Sequence, residues 1–211
     1  MGDRENEIER GFNSPLTRRA LLGLVGQAAI VVGLGGFIRF LGRKDRFLRP
    51  PGALTEGEFL SLCMKCQKCQ EVCPTGTITP VLLTESVASV ATPKLNFRLG
   101  YCNLCMRCIE VCPTGALQLT KEETVRLGVA EVDRERCVAW TWGGCTKCYQ
   151  LCPFEAVALD SSQRPIVDTD RCNGCGLCEH ICPSSALRSY TGSTGRGIVV
   201  VPIGAGRPRE S

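Results

Sequence analysis

The apolar positions of this chain fall into one long run and many short ones. Residues 20–38, ALLGLVGQAAIVVGLGGFI, carry no charge over nineteen positions. As a helix this run would reach about 28 Å, close to the hydrocarbon thickness of a bilayer. Its five glycines and Gln27 keep its hydrophobicity modest. Beyond it, residues 116–119 and 129–132 flank the polar TKEETVRLG, and residues 156–159 and 166–167 flank DSSQRP. Each pair predicts two short strands joined by a polar turn. Both second strands lead into Val-Asp-x-x-x-Cys, at Val132–Asp133 before Cys137 and at Val167–Asp168 before Cys172. PVLLTESVASVA at 80–91 predicts a short helix. The glycine-rich tail from Thr191 has one apolar patch, 198–203, which reads as an edge strand or a partner contact.

Between these elements one phrase recurs: EVCPTGTI at 71–78, EVCPTGAL at 110–117, QLCPFEAV at 150–157 and HICPSSAL at 180–187. Each copy is centred on cysteine rather than on an apolar face, so the repeat is not a solenoid unit. All 16 cysteines of the 211 residues lie within 63–182, a density that makes thiol chemistry dominate the fold. Net charge is only +4, and basic residues form no long run apart from 39–49, so there is no nucleic-acid footprint. The single histidine, His180, argues against a His-based acid–base or metal site.

Repeats one, two and four read C-x2-C-x2-C-x3-C-P: Cys63, Cys66, Cys69, Cys73; Cys102, Cys105, Cys108, Cys112; and Cys172, Cys175, Cys178, Cys182. Disulfides, zinc and iron–sulfur clusters compete for such thiols. A disulfide scaffold does not require four copies of one local spacing. A zinc site takes two ligands from each of two separated knuckles, whereas here three thiols arrive in one loop. A 4Fe–4S cluster needs one soft thiolate per iron, and two-residue spacers let a tight loop reach three irons. The fourth cysteine, on the departing segment, serves the neighbouring cluster, and the proline after it turns the chain away. Gly174 and Gly176 would let the backbone approach the cluster sulfides.

The third repeat departs from this pattern. Cys137 and Cys145 are separated by VAWTWGG before Cys148 and Cys152, and both tryptophans, Trp140 and Trp142, lie in the insertion. The rings either cover a core edge, or screen the third cluster or form a docking contact.

Ahead of the long apolar run, SPLTRRALLG places Arg18 beside Arg19, which resembles a twin-arginine export signal. An ordinary membrane anchor is the alternative. The basic RFLGRKDRFLR after the run would, by the positive-inside rule, hold the C-terminal part in the cytoplasm. That rule describes helices inserted unfolded, and a twin-arginine substrate crosses already folded. No A-x-A site follows, so the segment is expected to remain as a tether, and the protein to be membrane-associated.

Residues 63–74 and their repeats resemble bacterial-type ferredoxin motifs, and four in a row resemble a polyferredoxin. The resemblance implies tandem ferredoxin-like modules of α+β class, with short β-hairpins and short helices around the clusters, after an N-terminal apolar helix. The expected divisions are a signal or anchor at 1–49, two-cluster modules at 50–124 and 125–190, and a tail at 191–211. Pairing adjacent repeats as in a two-cluster ferredoxin implies four 4Fe–4S clusters. These would be held by Cys63, Cys66, Cys69 and Cys112; by Cys102, Cys105, Cys108 and Cys73; by Cys137, Cys145, Cys148 and Cys182; and by Cys172, Cys175, Cys178 and Cys152. A nested pairing, first repeat with fourth and second with third, uses the same thiols and stays open.

The leader, FLRPPGALTEGEFLSLCMKC and the stretched third repeat are together similar to the NapG/MauM-type proteins, from about Pro15 to Leu187. The resemblance implies a periplasmic polyferredoxin subunit without a substrate site of its own. It would take electrons from a membrane-integral quinol dehydrogenase subunit and pass them to a c-type cytochrome or periplasmic reductase. No C-x-x-C is followed by histidine, so covalent haem is not indicated. Gly33-x-Gly35 ends at Arg39 and makes no dinucleotide loop, and no phosphate-binding loop is present. A cytoplasmic-facing wire and a redox-sensing or structural iron–sulfur protein remain the alternatives.

Overall fold

The computed structural model describes residues 22–23, 25–28, 31–33, 47–187 and 195–203. Two compact units result, Met1–Lys44 and Asp45–Ser211. In the first, the described residues are helical and exposed. None of the described residues belongs to a helix long and apolar enough to cross a membrane. The expected N-terminal apolar helix therefore gains no support, and most of residues 20–38 lie outside the described residues. Glycine costs about 1 kcal/mol relative to alanine in a helix interior, and this run carries five. The paired Arg18 and Arg19 also lie outside the described residues.

The second unit contains, in order, α1 (Glu56–Leu62), α2 (Lys68–Glu71), β1 (Ile78–Pro80), β2 (Pro93–Leu95), α3 (Arg107–Glu110) and a 3-10 turn at Glu122–Thr124. There follow β3 (Val129–Val132), α4 (Val138–Thr141), α5 (Lys147–Gln150), β4 (Val157–Leu159), β5 (Pro165–Val167), α6 (Leu177–His180), α7 (Ser184–Leu187) and β6 (Ile198–Val201). Single-turn helices are not stable alone, so tertiary contacts must hold them. The apolar core that does so joins both halves of the unit: Phe59, Ile78, Leu95, Phe97, Ile109 and Leu117 meet Ala130, Ile198 and Val200.

Three antiparallel two-stranded ribbons frame this core. β4 pairs with β5, Val157 opposite Val167, as the apolar segments around DSSQRP predict. β1 pairs with β2, Ile78 opposite Leu95, a ribbon the sequence pattern did not reveal. The helix expected at 80–91 is instead a series of turns between these strands. Pro80 ends β1, the Glu85 carboxylate accepts the Leu82 N–H at 2.9 Å, and the Ser86 hydroxyl accepts the Ser89 N–H at 3.4 Å. Such local side-chain bonds offer the backbone an alternative to helix.

The hairpin expected from 116–119 and 129–132 does not form. Residues 116–118 are claimed by the segment leading in from the N-terminal side: Leu54 donates to the Ala116 carbonyl, Gln118 donates to Gly52 at 2.8 Å, and Ala53 bridges Leu117. β3 turns instead to the tail and pairs with β6, Val129 opposite Val201 and Val132 opposite Ile198. The patch at 198–203 is thus a strand with Ile198, Val200 and Val201 buried.

The lead-in segment is fixed by Arg49. Its guanidinium pairs with Glu56, and donates to the Thr92 hydroxyl at 2.9 Å and the Pro93 carbonyl at 2.7 Å. It also lies 4.8 Å from the ring of Phe59, which is fully buried. Gly52 has φ +73°, and a Cβ there would sit 2.1 Å from the Gln118 carbonyl oxygen. Leu-Arg-Pro-Pro-Gly-Ala is therefore a buried clasp that closes the first half.

Candidate metal centres

Each cysteine loop is shaped by backbone before any side chain is considered. In repeat one, Lys65 (φ 59°) and Gln67 (φ 61°) flank Cys66; in repeat two, Leu104 (φ 56°) and Met106 (φ 55°) flank Cys105. Repeat four has Gly174 (φ 75°) and Gly176 (φ 81°) around Cys175. Left-handed residues in such alternation curl the loop so that its N–H groups face inward, a concavity suited to an anionic group. Non-glycine residues there carry strain, which concentrates at functional sites. The two glycines have an additional cause: a Cβ at 174 would meet the Gly128 backbone at 2.4 Å, and one at 176 the Phe97 ring at 2.1 Å. Close chain packing, not only approach to a ligand, requires them.

Asx turns set the first thiol of repeats three and four. Asp133 accepts the N–H groups of Glu135 and Arg136 through its side chain and that of Cys137 through its carbonyl, 2.7 Å away. Asp168 holds Asp170, Arg171 and Cys172 in the same way. Asn103 and Asn173 accept the N–H groups of Cys105 and Cys175. The Val-Asp-x-x-x-Cys phrase is thus a positioning turn.

All sixteen thiols are free, and twelve of them line three cavities. Cys63, Cys66, Cys69 and Cys112 line the first cavity. Cys137, Cys145, Cys148 and Cys182 line that of the third repeat, with Cys178 also on the wall. Cys172, Cys175, Cys178 and Cys152 line that of the fourth repeat. The remaining four thiols are Cys73, Cys102, Cys105 and Cys108. Burial first, then Cys73, Cys105 and Cys175, push Cys102 up to about 11. Burial, then Cys102, Cys69 and Cys105, push Cys108 up to about 12. In each of the three cavities one thiol comes from the adjacent repeat.

Electrostatics raises some thiols and lowers others. Burial and then neighbouring thiols raise Cys69 to about 11 and Cys148 to about 12, and lift Cys178 well above its ordinary value. The fourth cysteines of repeats one and two are lowered. Burial acts upward on Cys73, but the Thr75 hydroxyl and the N–H groups of Thr75, Thr77 and Ile78 outweigh it. At Cys112 burial is likewise outweighed, by the N–H groups of Leu117, Thr114 and Ala116 and the Thr114 hydroxyl. The hydroxyl two residues after the fourth cysteine recurs: Thr75 is 3.5 Å from Cys73 Sγ, Thr114 3.8 Å from Cys112 Sγ and Ser184 3.3 Å from Cys182 Sγ. In repeat three that place is Phe154, and Cys152 Sγ instead accepts the Ala156 N–H at 3.3 Å.

The donor set fits an iron–sulfur group. Thiols raised by burial, and then by each other's charge, are deprotonated by a coordinated cation, and the inward N–H groups and hydroxyls suit the net negative charge of a thiolate-bound cluster. No three His, Cys, Asp or Glu side chains among the described residues meet closely enough to hold a single ion. The thiols stand around a cavity, which suits a body larger than zinc.

The sequence reading missed several residues of these sites. Ile198 and Gly197 of the tail line the cavity of Cys137, and Val200 that of Cys172. Ser184 ties the tail down, accepting the Gly197 N–H at 2.6 Å, and Arg196 donates to the Cys182 carbonyl. Neither tryptophan lines the cavity of Cys137. Trp140 lies between Arg134 (4.4 Å) and Arg164 (4.9 Å) and donates to the Pro165 carbonyl, so it braces α4 against β5. Trp142 is 56% exposed.

Sequence comparison agrees with this chemistry. Residues 130–188 match one family model of a 4Fe-4S dicluster domain, and residues 62–116 and 101–156 match another. The fold and thiols define a ferredoxin-type iron–sulfur electron-transfer protein carrying 4Fe–4S clusters. Ferredoxin-type protein NapG of Escherichia coli (strain K12) is 34% identical over 174 residues, 74% of this chain and 75% of its own length. The methylamine utilization ferredoxin-type protein MauM of Paracoccus denitrificans (strain Pd 1222) is 32% identical over 187 residues, 79% of this chain and 83% of its own. MauM of Methylobacillus flagellatus is 37% identical over 167 residues, covering 72% and 71%. The chain belongs to the NapG/MauM family of ferredoxin-type proteins.

Proposed function

We propose that this protein is a four-cluster wire on the outer face of the cytoplasmic membrane, taking electrons from a membrane quinol-oxidising partner and handing them to a periplasmic acceptor. The observation that carries the reading is three cavities, each lined by three thiols of one repeat and completed by a cysteine from the adjacent repeat, with four thiols of the same spacing left over. In this reading Cys63, Cys66, Cys69 and Cys112 hold the first cluster, and Cys102, Cys105, Cys108 and Cys73 the second. Cys137, Cys145, Cys148 and Cys182 hold the third, and Cys172, Cys175, Cys178 and Cys152 the fourth. When bound, such clusters supply one-electron transfer at potentials set by hydrogen bonds and solvent access. The chain's own groups do the tuning: curled loops direct N–H groups inward, Thr75, Thr114 and Ser184 place hydroxyls at three fourth-position sulfurs, and the apolar core limits water.

A quinol yields two electrons and two protons. The wire passes the electrons singly, and the protons are released to solvent at the membrane partner. The paired Arg18 and Arg19 and the uncharged run after them support export of the folded protein and a tether to the membrane. Donor and acceptor come from the family: the quinol-oxidising partner is a membrane-integral dehydrogenase subunit, the acceptor a c-type cytochrome or periplasmic reductase. The basic segment 39–49 favours a second reading, the same wire facing the cytoplasm.

Two measurements test this. Anaerobically purified chain should carry about sixteen irons, four per cluster, and cycle reversibly in a redox titration; clusters that bleach on oxidation would mark a sensor instead. Changing Arg18 and Arg19 to Lys in a reporter fusion should abolish export, and unaffected export would favour the cytoplasmic reading.

A further inference from the structure

The first foursome is completed by Cys112 of the second repeat, and α2 packs on α3. The third and fourth are each completed by the other's fourth cysteine, with α5 packed on α6. Cys178, a member of the fourth foursome, also lines the cavity of Cys137.

What decides the route is where the halves meet. The Cys102 N–H donates to the Cys175 carbonyl at 2.8 Å, joining the second foursome's loop directly to the fourth's. Around that bond Phe97 lies so close to Gly176 that a Cβ would overlap it at 2.1 Å, and the rings of Tyr101 and His180 are 6.1 Å apart. Leu127 N–H donates to the Asn173 carbonyl in the same seam.

We infer that the electron route runs first, second, fourth, third, so that the ends of the wire are the foursomes of Cys63 and of Cys137, and the step between the halves is Cys102 to Cys175. The inference rests on the four-cluster reading and adds the order of hops to it. Each hop moves one electron from a reduced site to its oxidised neighbour; no bond is made or broken and no proton moves. The stretched repeat with its two tryptophans is therefore at a terminus, although it is third along the chain. Electrons enter or leave there, while the fourth repeat, last in sequence, is internal.

The test uses the full chain, loaded anaerobically and reduced, and reads magnetic coupling between neighbouring clusters by electron paramagnetic resonance. Cys172→Ser removes the fourth site and should leave the third uncoupled from every other, while the first and second keep their mutual splitting. Cys145→Ser removes the third and should leave the second and fourth still split by each other. Retained splitting of the third site in Cys172→Ser, or loss of the second-to-fourth splitting in Cys145→Ser, would overturn the route. Iron per chain shows whether each exchange empties one site alone. If more is shed, Phe97→Ala, which leaves every thiol in place, should weaken only the second-to-fourth coupling, and an unchanged coupling there counts against the route. A wild-type chain that takes up no iron refutes the four-cluster reading itself.

Discussion

The two halves of the folded unit perform the same crossover with different means. In the first, the loops curl through strained residues, Lys65, Gln67, Leu104 and Met106, and the walls come from the lead-in clasp and the β1–β2 ribbon. In the second, glycines at 143, 144, 174 and 176 take the left-handed positions, and the wall is the tail strand β6. The first half has a hydroxyl at both fourth cysteines; the second has one at Ser184 and lacks one at Phe154. The thiol spacing that grips a cluster is constant, and what differs is the surrounding shell that closes and tunes it.

This contrast can be broken most severely at the tail. Ile198→Asp puts a carboxylate into a buried strand position that lines the cavity of Cys137. Iron content should fall by about eight, the complement of two clusters, with the first two sites retained; loss from all four would show that the halves do not close separately. Arg49→Leu attacks the opposite wall. It leaves the part-exposed Glu56 unpaired and the buried Thr92 hydroxyl and Pro93 carbonyl without their donor, and should cost about 2 kcal/mol in denaturant unfolding.

Smaller effects sharpen the comparison of the loops. Gln67 is exposed and left-handed, so Gln67→Gly should stabilise by about 1 kcal/mol. Gly174→Ala should instead destabilise, because Gly128 backbone occupies the space. The smallest expected effect is electronic. Phe154→Thr supplies the missing hydroxyl at Cys152 and should raise one potential of the four. A hydrogen bond worth about 1 kcal/mol corresponds to about 40 mV for one electron. Thr114→Val should lower a different one by a similar amount, and a redox titration reads both.

Sequence spacing made the thiol loops legible because ligand geometry is local: C-x2-C-x2-C-x3-C-P states its own curl, and Val-Asp-x-x-x-Cys its own turn. The hairpin around DSSQRP was legible for the same reason. What was hidden depends on distant residues. Nothing local at 116–119 tells that Gly52 and Leu54 will claim its backbone, or at 129–132 that Ile198–Val201 will be its partner. The helix expected at 80–91 failed through Glu85 and Ser86, whose side chains compete for backbone N–H groups. The hydroxyls of Thr75, Thr114 and Ser184 sat in plain view within the repeated phrase. Their signal was the C-P-T-G and C-P-S-S recurrence, broken once by Phe154.

The pairing of β3 with β6 also sets a timetable for synthesis. Ribosomes finish the clasp and every thiol of the first two foursomes by residue 118. The last two foursomes have no closed wall until residues 197–201 emerge. A message cut short before residue 197 would yield a half-built conductor, intact at one terminal and open at the other.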